Sequence, residues 1–222
     1  MGSKRSKPLS RPGLLGAAEQ ITAQQRDAGL IAAEKTKSRR GRSGAAEQSA
    51  ALSISTSRNT RAGSPLRIIG IDPGLASSGW GVVDYANGRL THVAHGCIET
   101  KSDTLREERL LFIYDSFREV LKTYKPREAA IENLFFGKNV TSAMMVAEAR
   151  GVLLMALAAR GLPVLELTPN SIKKAVAGVT RADKKQIMEM VRFLLNLPEL
   201  PKPDHAADAL AAAICAAHLA MS

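Results

Sequence analysis

Three apolar runs set close together between residues 66 and 99 restrict this chain to few folds. "LRIIGID" is followed by "GWGVVDY" and "LTHVAHGCIE", and the second and third are separated only by "ANGR". Asn-Gly between such runs is the strongest short hairpin signal, because the two-residue turn requires positive φ at both positions. An antiparallel meander of three strands is therefore predicted. It puts Asp72 at the end of the first strand, directly before "PGLASSGWG". Glycines there are expected to shape a tight turn and to let a small-sided strand pass close to whatever the acid holds.

Beyond the meander the period changes. Residues 104–124 place Leu105, Leu110, Ile113, Tyr114, Phe117, Val120, Leu121 and Tyr124 at helical spacing, with Pro126 just past the end. "REAAIENLF" predicts a fourth strand with Glu132 at its exit. Residues 140–160 predict a helix closed by Gly161, "PVLELT" a fifth strand and "PNSIKKAVAG" a short helix. A longer helix is expected from Thr180, where Thr180 and Asp183 have capping-box spacing, and a last one over 204–220. The order βββαβαβ followed by helices is an α/β arrangement with its first three strands antiparallel.

The basic excess of the chain lies outside this pattern. Of 31 Lys and Arg and 21 Asp and Glu, residues 1–66 hold 12 and 4, leaving residues 67–222 nearly balanced. The first segment has no aromatic residue and little periodicity, so it buries too little apolar surface to offset chain entropy. It is expected to be a disordered basic extension, with at most a transient helix over 17–34. It reads as a solvated tail or as sequence translated ahead of the natural start; clustered Arg and Lys that release counterions from phosphates would instead make it a nucleic-acid-binding arm. No apolar stretch reaches the roughly 18 to 20 residues that span a bilayer, and no secretory signal core is present, so a soluble, cytoplasmic protein is expected. Cys97 and Cys215 are too few for a disulfide framework or a zinc site and read as buried thiols.

The acids at element ends carry the chemistry. If strands one and four are neighbours, Asp72 and Glu132 emerge at one edge of the sheet. His205 and Asp208, three apart, share a face of the last helix. Oxygen donors drawn from three elements suit hard divalent cations such as Mg²⁺. Two such ions about 3.5 to 4 Å apart can activate a water and stabilise the leaving oxygen of a phosphodiester. Each acid alone is more commonly a turn or capping residue. Asp204 shares the face of Asp208 but is expected to be the helix N-cap. His92, His95 and His218 show no partner pattern and read as structural, and Met144, Met145 and Met155 read as core or interface packing.

Together "RIIGIDPGLASSGWGVV", "AIENLFFGKN", "SIKKAVAGVTRADKKQI" and "HAADALAAAICAAH" resemble the RuvC family of Holliday junction resolvases, in unbroken order from about Arg67 to Ala217. The resemblance implies an RNase H-like fold with a mixed five-stranded sheet flanked by helices over 67–222. It implies a homodimer that nicks two strands of like polarity in a four-way DNA junction, with RuvA and RuvB as branch-migration partners. Carried over by motif, Asp72, Glu132 and Asp208 are Mg²⁺ ligands, with Mn²⁺ able to substitute. Phe135 is the aromatic that stacks on a base, and Lys173 and Lys184 contact DNA phosphates. Lys174, Arg181 and Lys185 extend that basic stretch, which would otherwise read as a solvated helix face. The family motif at the last helix is commonly DAADAL; here His205 stands where a carboxylate is usual, and its neutral imidazole can ligate a metal or move protons in the site, but it removes a negative charge and favours softer ions.

Two other readings follow from the same residues. Strand, acid and glycine turn also occur in actin-like ATPases, but those need a second, duplicated domain, and no internal repeat is present. A junction-binding module that has lost catalysis through His205 would bind without cutting.

Overall fold

The computed structural model describes residues 64–133 and 140–220. The expected extension, but for its last three residues, and Phe135 lie outside the described residues. Five strands form one sheet: β1 (Leu66–Asp72), β2 (Ser77–Ala86), β3 (Arg89–Glu99), β4 (Glu128–Glu132) and β5 (Val164–Leu167), in the order β3-β2-β1-β4-β5. β1, β2 and β3 pair antiparallel, while β4 runs parallel to β1 and β5 parallel to β4. This is the mixed five-stranded sheet expected. Asn87 and Gly88 turn the hairpin with φ of 51° and 76°, as a two-residue turn requires.

Helices cover both faces. On one lie α1 (Arg106–Tyr124) and α2 (Val140–Ala158), which enclose Ile69, Ile71, Val82, Ala129 and Ile131 with Ile113, Phe117, Leu121, Leu153 and Leu157. Leu105, the N-cap of α1, is exposed and outside that core. On the other face lie α3 (Pro169–Ala177), α4 (Lys184–Leu194) and α5 (Asp204–Leu219). α5 is sandwiched between the sheet and α3 and α4, and its residues from Ala209 to Ala217 are all buried. Arg67 ties the first face together: its guanidinium donates to both carboxylate oxygens of Asp84 on β2 and to the Tyr124 carbonyl at the end of α1.

The strand glycines serve a different purpose from the one expected. A Cβ on Gly70 would overlap the Ala209 carbonyl, one on Gly79 the His205 carbonyl, and one on Gly81 would lie 2.7 Å from the Leu210 side chain. The bare strands let α5 lie directly against the sheet, and only the 73–76 segment fits the tight-turn reading. There Ser78 Oγ donates to the Gly74 carbonyl at 2.6 Å.

Two caps depart from expectation. α4 does not start at Thr180; Asp183 is its N-cap, accepting from the Gln186 amide, while Gln186 Oε1 accepts from the Asp183 amide. The Asp183–Gln186 pair forms a complete capping box, and the chain needs the residues from Thr180 to Ala182 to turn out of α3 and bury Ala182. α5 has Pro203, not Asp204, as its N-cap, which frees the Asp204 carboxylate. His92 and His95 also have a partner: each other, at 2.8 Å. A bulge near Val82 and Val83 makes this possible, because it brings residues three apart on β3 to one side of the strand. His218 faces the Ala175 carbonyl. Cys215 is buried and Cys97 only half-buried, against Ser77 Oγ. Met145 packs on the first core, whereas Met144 and Met155 are exposed.

Candidate active site

The parallel pairing of β1 and β4 sets Ile71 beside Ile131, so Asp72 and Glu132 leave the sheet side by side at its carboxyl edge. α5 crosses that edge with its first turn, because Gly79 accepts the helix backbone at His205. His205 Nδ1 then lies 2.7 Å from Asp72 Oδ2. Asp72, His205 and Asp208 each bring one ligand atom into a group whose members all lie within 4.8 Å of one another. Glu132 is outside that group but close by, for the charges of both Asp72 and Asp208 act on it. Glu132, Lys173, Lys184 and Asp208, with Pro169, Ile172, Ile187 and Ala211, line a cleft of about 230 Å³.

The electrostatics are those of carboxylates gathered without enough positive charge. Burial, then repulsion from Asp72 and Asp208, pushes the Glu132 carboxyl up to about 7, against a weaker opposing pull from Lys173. Burial and the Asp72 charge likewise raise Asp208, offset in part by Lys184 and His205. The hydrogen bond to Asp72 holds His205 above its ordinary value despite burial. Lys184 bridges Asp204 Oδ2 at 3.1 Å and Asp208 Oδ2 at 3.4 Å. Burial disfavours its ammonium, but the bonds and charges of those two acids outweigh that and raise it. Oxygen donors that repel one another at the end of a sheet fit a divalent cation, which would relieve that repulsion.

Of the residues singled out from sequence, the structure brings Glu132, Asp208, Lys173 and Lys184 to one cleft and groups Asp72 and His205 beside Asp208. Lys174 and Arg181 line a separate shallow depression with Gly178 and Thr180. What sequence reasoning missed is that Lys184 is engaged by two acids. The signal for it is Asp204, whose carboxylate is free for Lys184 because Pro203 is the N-cap.

A sheet of this topology, helices on both faces and a carboxylate cluster where β1, β4 and the last helix meet define the RNase H-like class of nucleases. Within that class, the family model described as crossover junction endodeoxyribonuclease RuvC matches residues 68–216, nearly all of the described fold. The chain belongs to the RuvC family of metal-dependent crossover junction endodeoxyribonucleases. RuvC of Treponema denticola is 54% identical over 147 residues, 66% of this chain and 83% of that protein. RuvC of Thermotoga petrophila is 51% identical over 150 residues, 68% of this chain and 91% of that protein. The structure of Thermus thermophilus RuvC in complex with Holliday junction substrate matches with a TM-score of 0.67 and 34% identity, over 70% of this chain and 96% of that one. The activity is accordingly endonucleolytic hydrolysis of phosphodiesters in Holliday junctions, in DNA recombination and repair. Neither the actin-like reading nor that of an inactive junction-binding module is favoured. No helix among the described residues is long and apolar enough to cross a membrane.

Proposed function

We propose that residues 67–222 act as a homodimeric resolvase that uses Asp72, Glu132, His205 and Asp208 to hold two Mg²⁺ ions, for which Mn²⁺ can substitute. The observation that carries this reading is the convergence of Asp72, His205 and Asp208 on one point at the sheet edge, with Glu132 beside them. Bound there, divalent ions would supply an activated water and neutralise the charge of the leaving oxygen. Asp72 orients the attacking side, and Glu132 and Asp208 close the site from β4 and α5. His205 gives a nitrogen ligand in its neutral form and, through its contact with Asp72, exchanges a proton with the site. Lys173 and Lys184, on the cleft wall, meet the phosphates of the cut strand. Phe135 stacks on a base at the opened junction, a contact worth roughly 1 to 3 kcal/mol.

Each subunit nicks one of two strands of like polarity at symmetric positions. RuvA and RuvB are the partners that resemblance supplies, and the cytoplasm is the compartment proposed for the protein.

The test is cleavage of a labelled four-way junction beside a linear duplex of the same sequence, with Mg²⁺, Mn²⁺ or EDTA. Paired symmetric nicks in the junction alone are expected, abolished by EDTA and by Asp72→Asn, with junction binding retained. Binding with no nick in either metal would overturn the proposal and leave a binding module.

A further inference from the structure

Glu132 needs a rigid mount. Its carboxylate is repelled by two neighbours, and the strand that carries it, β4, is only five residues long. The structure supplies a grip from the far side of the sheet. Successive residues of β4 alternate between faces, so Ala130 packs with α5, Ile131 packs with α2, and Glu132 and Asn133 follow the same alternation. Glu166 on β5 pairs with Ile131 and therefore shares the α2 face. Arg150, on α2, reaches both: its guanidinium lies 2.7 Å from Glu166 Oε2 and 3.3 Å from Asn133 Oδ1. The Asn133 amide in turn donates to the Leu167 carbonyl at 2.7 Å. One guanidinium thus ties together the exits of β4 and β5, one residue beyond Glu132.

Stability alone is a poor reason for this arrangement. Arg150 is only 15% exposed, and its Nε is buried with no partner among the described residues. Burying a cation with an unpaired donor commonly costs more than an apolar side chain would. We infer that Arg150 is a positioning residue for Glu132, holding the end of β4 so that the carboxylate meets Asp72 and Asp208 at the cleft. This rests on the reading of Glu132 as a ligand.

The experiment compares R150Q, R150K, E166Q and E132Q in the full chain, with R106Q as control. R106Q removes another ion pair made by α2, that of its Glu148 with Arg106 of α1. Mn²⁺ affinity of the DNA-free protein is measured by calorimetry and exchange of the Asn133 amide by NMR. R150Q is expected to weaken Mn²⁺ binding by about 10- to 100-fold, the usual effect of losing a group that orients a metal ligand, and to speed exchange at Asn133. R150K and E166Q should fall between R150Q and the parent, and they carry the test if R150Q does not fold. R106Q should change neither readout. Parental Mn²⁺ affinity in R150Q or, failing that, in both milder variants overturns the inference while E132Q is impaired. Parental Mn²⁺ affinity in E132Q overturns the reading of Glu132 itself.

Discussion

Glu132 and His205 each favour a bound proton in the metal-free site, and both protons oppose a cation. Glu132 is raised to about 7 by burial and by Asp72 and Asp208. His205 is raised above 6.5, first by its bond to Asp72. If both are ligands as proposed, the site must ionise one and neutralise the other, so cleavage at low Mg²⁺ is expected to rise with pH through about 7. The midpoint should move to lower pH as Mg²⁺ is increased, because the ion competes with the protons. A midpoint independent of Mg²⁺ would sink this account. His205→Asp restores a carboxylate and removes the imidazole, so less Mg²⁺ should be needed for half-maximal rate and the advantage of Mn²⁺ should shrink; an unchanged metal preference and pH profile would mean that His205 is no ligand. At this scale the sequence was informative where a residue's place followed from local pattern. Asp72 and Glu132 were visible as strand exits, and His205 with Asp208 as one helical face. Lys184 was visible only as a basic residue in a basic stretch, since its partners Asp204 and Asp208 lie 20 and more positions away.

The elements meet through absences of side chain. Gly70, Gly79 and Gly81 on β1 and β2 face the α5 backbone or Leu210, so the depth at which α5 sits is set by hydrogen atoms where other strands carry methyl groups. Gly79→Ala would press on the His205 carbonyl and lift the first turn of α5. Overpacking of this kind costs roughly 1 to 3 kcal/mol, and here it should also lower the cleavage rate by separating His205 and Asp208 from Asp72. Gly88→Ala is the comparison: Gly88 has φ of 76° at the hairpin turn with nothing within 4 Å of the added carbon. It should cost stability through backbone strain while leaving the rate at saturating metal unchanged. Equal loss of rate in both variants would remove the glycine argument. The strand and helix periods were legible because each is a local repeat. The meaning of the glycines was not, because a Gly that admits a turn and a Gly that admits a helix look alike until the helix is in place. The start of α4 was misplaced for a related reason: Thr180 and Asp183 have the spacing of a capping box, but Asp183 and Gln186 have it too, and burial of Ala182 decides between them.

For the whole molecule, proton and metal binding are linked to folding. Glu132, Asp208 and His205 all have folded-state values raised above their ordinary ones. A raised group gives stability that is present below its unfolded pKa and lost as pH rises through the folded one. For Glu132 that window runs from about 4.5 to about 7, and for His205 it begins near 6.5. The metal-free site therefore weakens the fold progressively from mildly acidic to mildly basic pH. On the proposed reading a divalent cation acts in the opposite sense, since it would bind the folded, ionised cluster and not the unfolded chain. At 100 times its dissociation constant it stabilises by about 2.7 kcal/mol, which for a domain of this size shifts Tm by roughly 5 to 10 °C. The shift on adding a fixed Mg²⁺ concentration should then be larger at pH 8 than at pH 6, where protons hold Glu132 and His205. Asp72→Asn should reduce it at both. Thermal unfolding of the full chain at the two pH values, with and without Mg²⁺, measures this directly. Equal shifts at pH 6 and 8, or a full shift in Asp72→Asn, would mean that the cation stabilises the protein at some place other than this cluster.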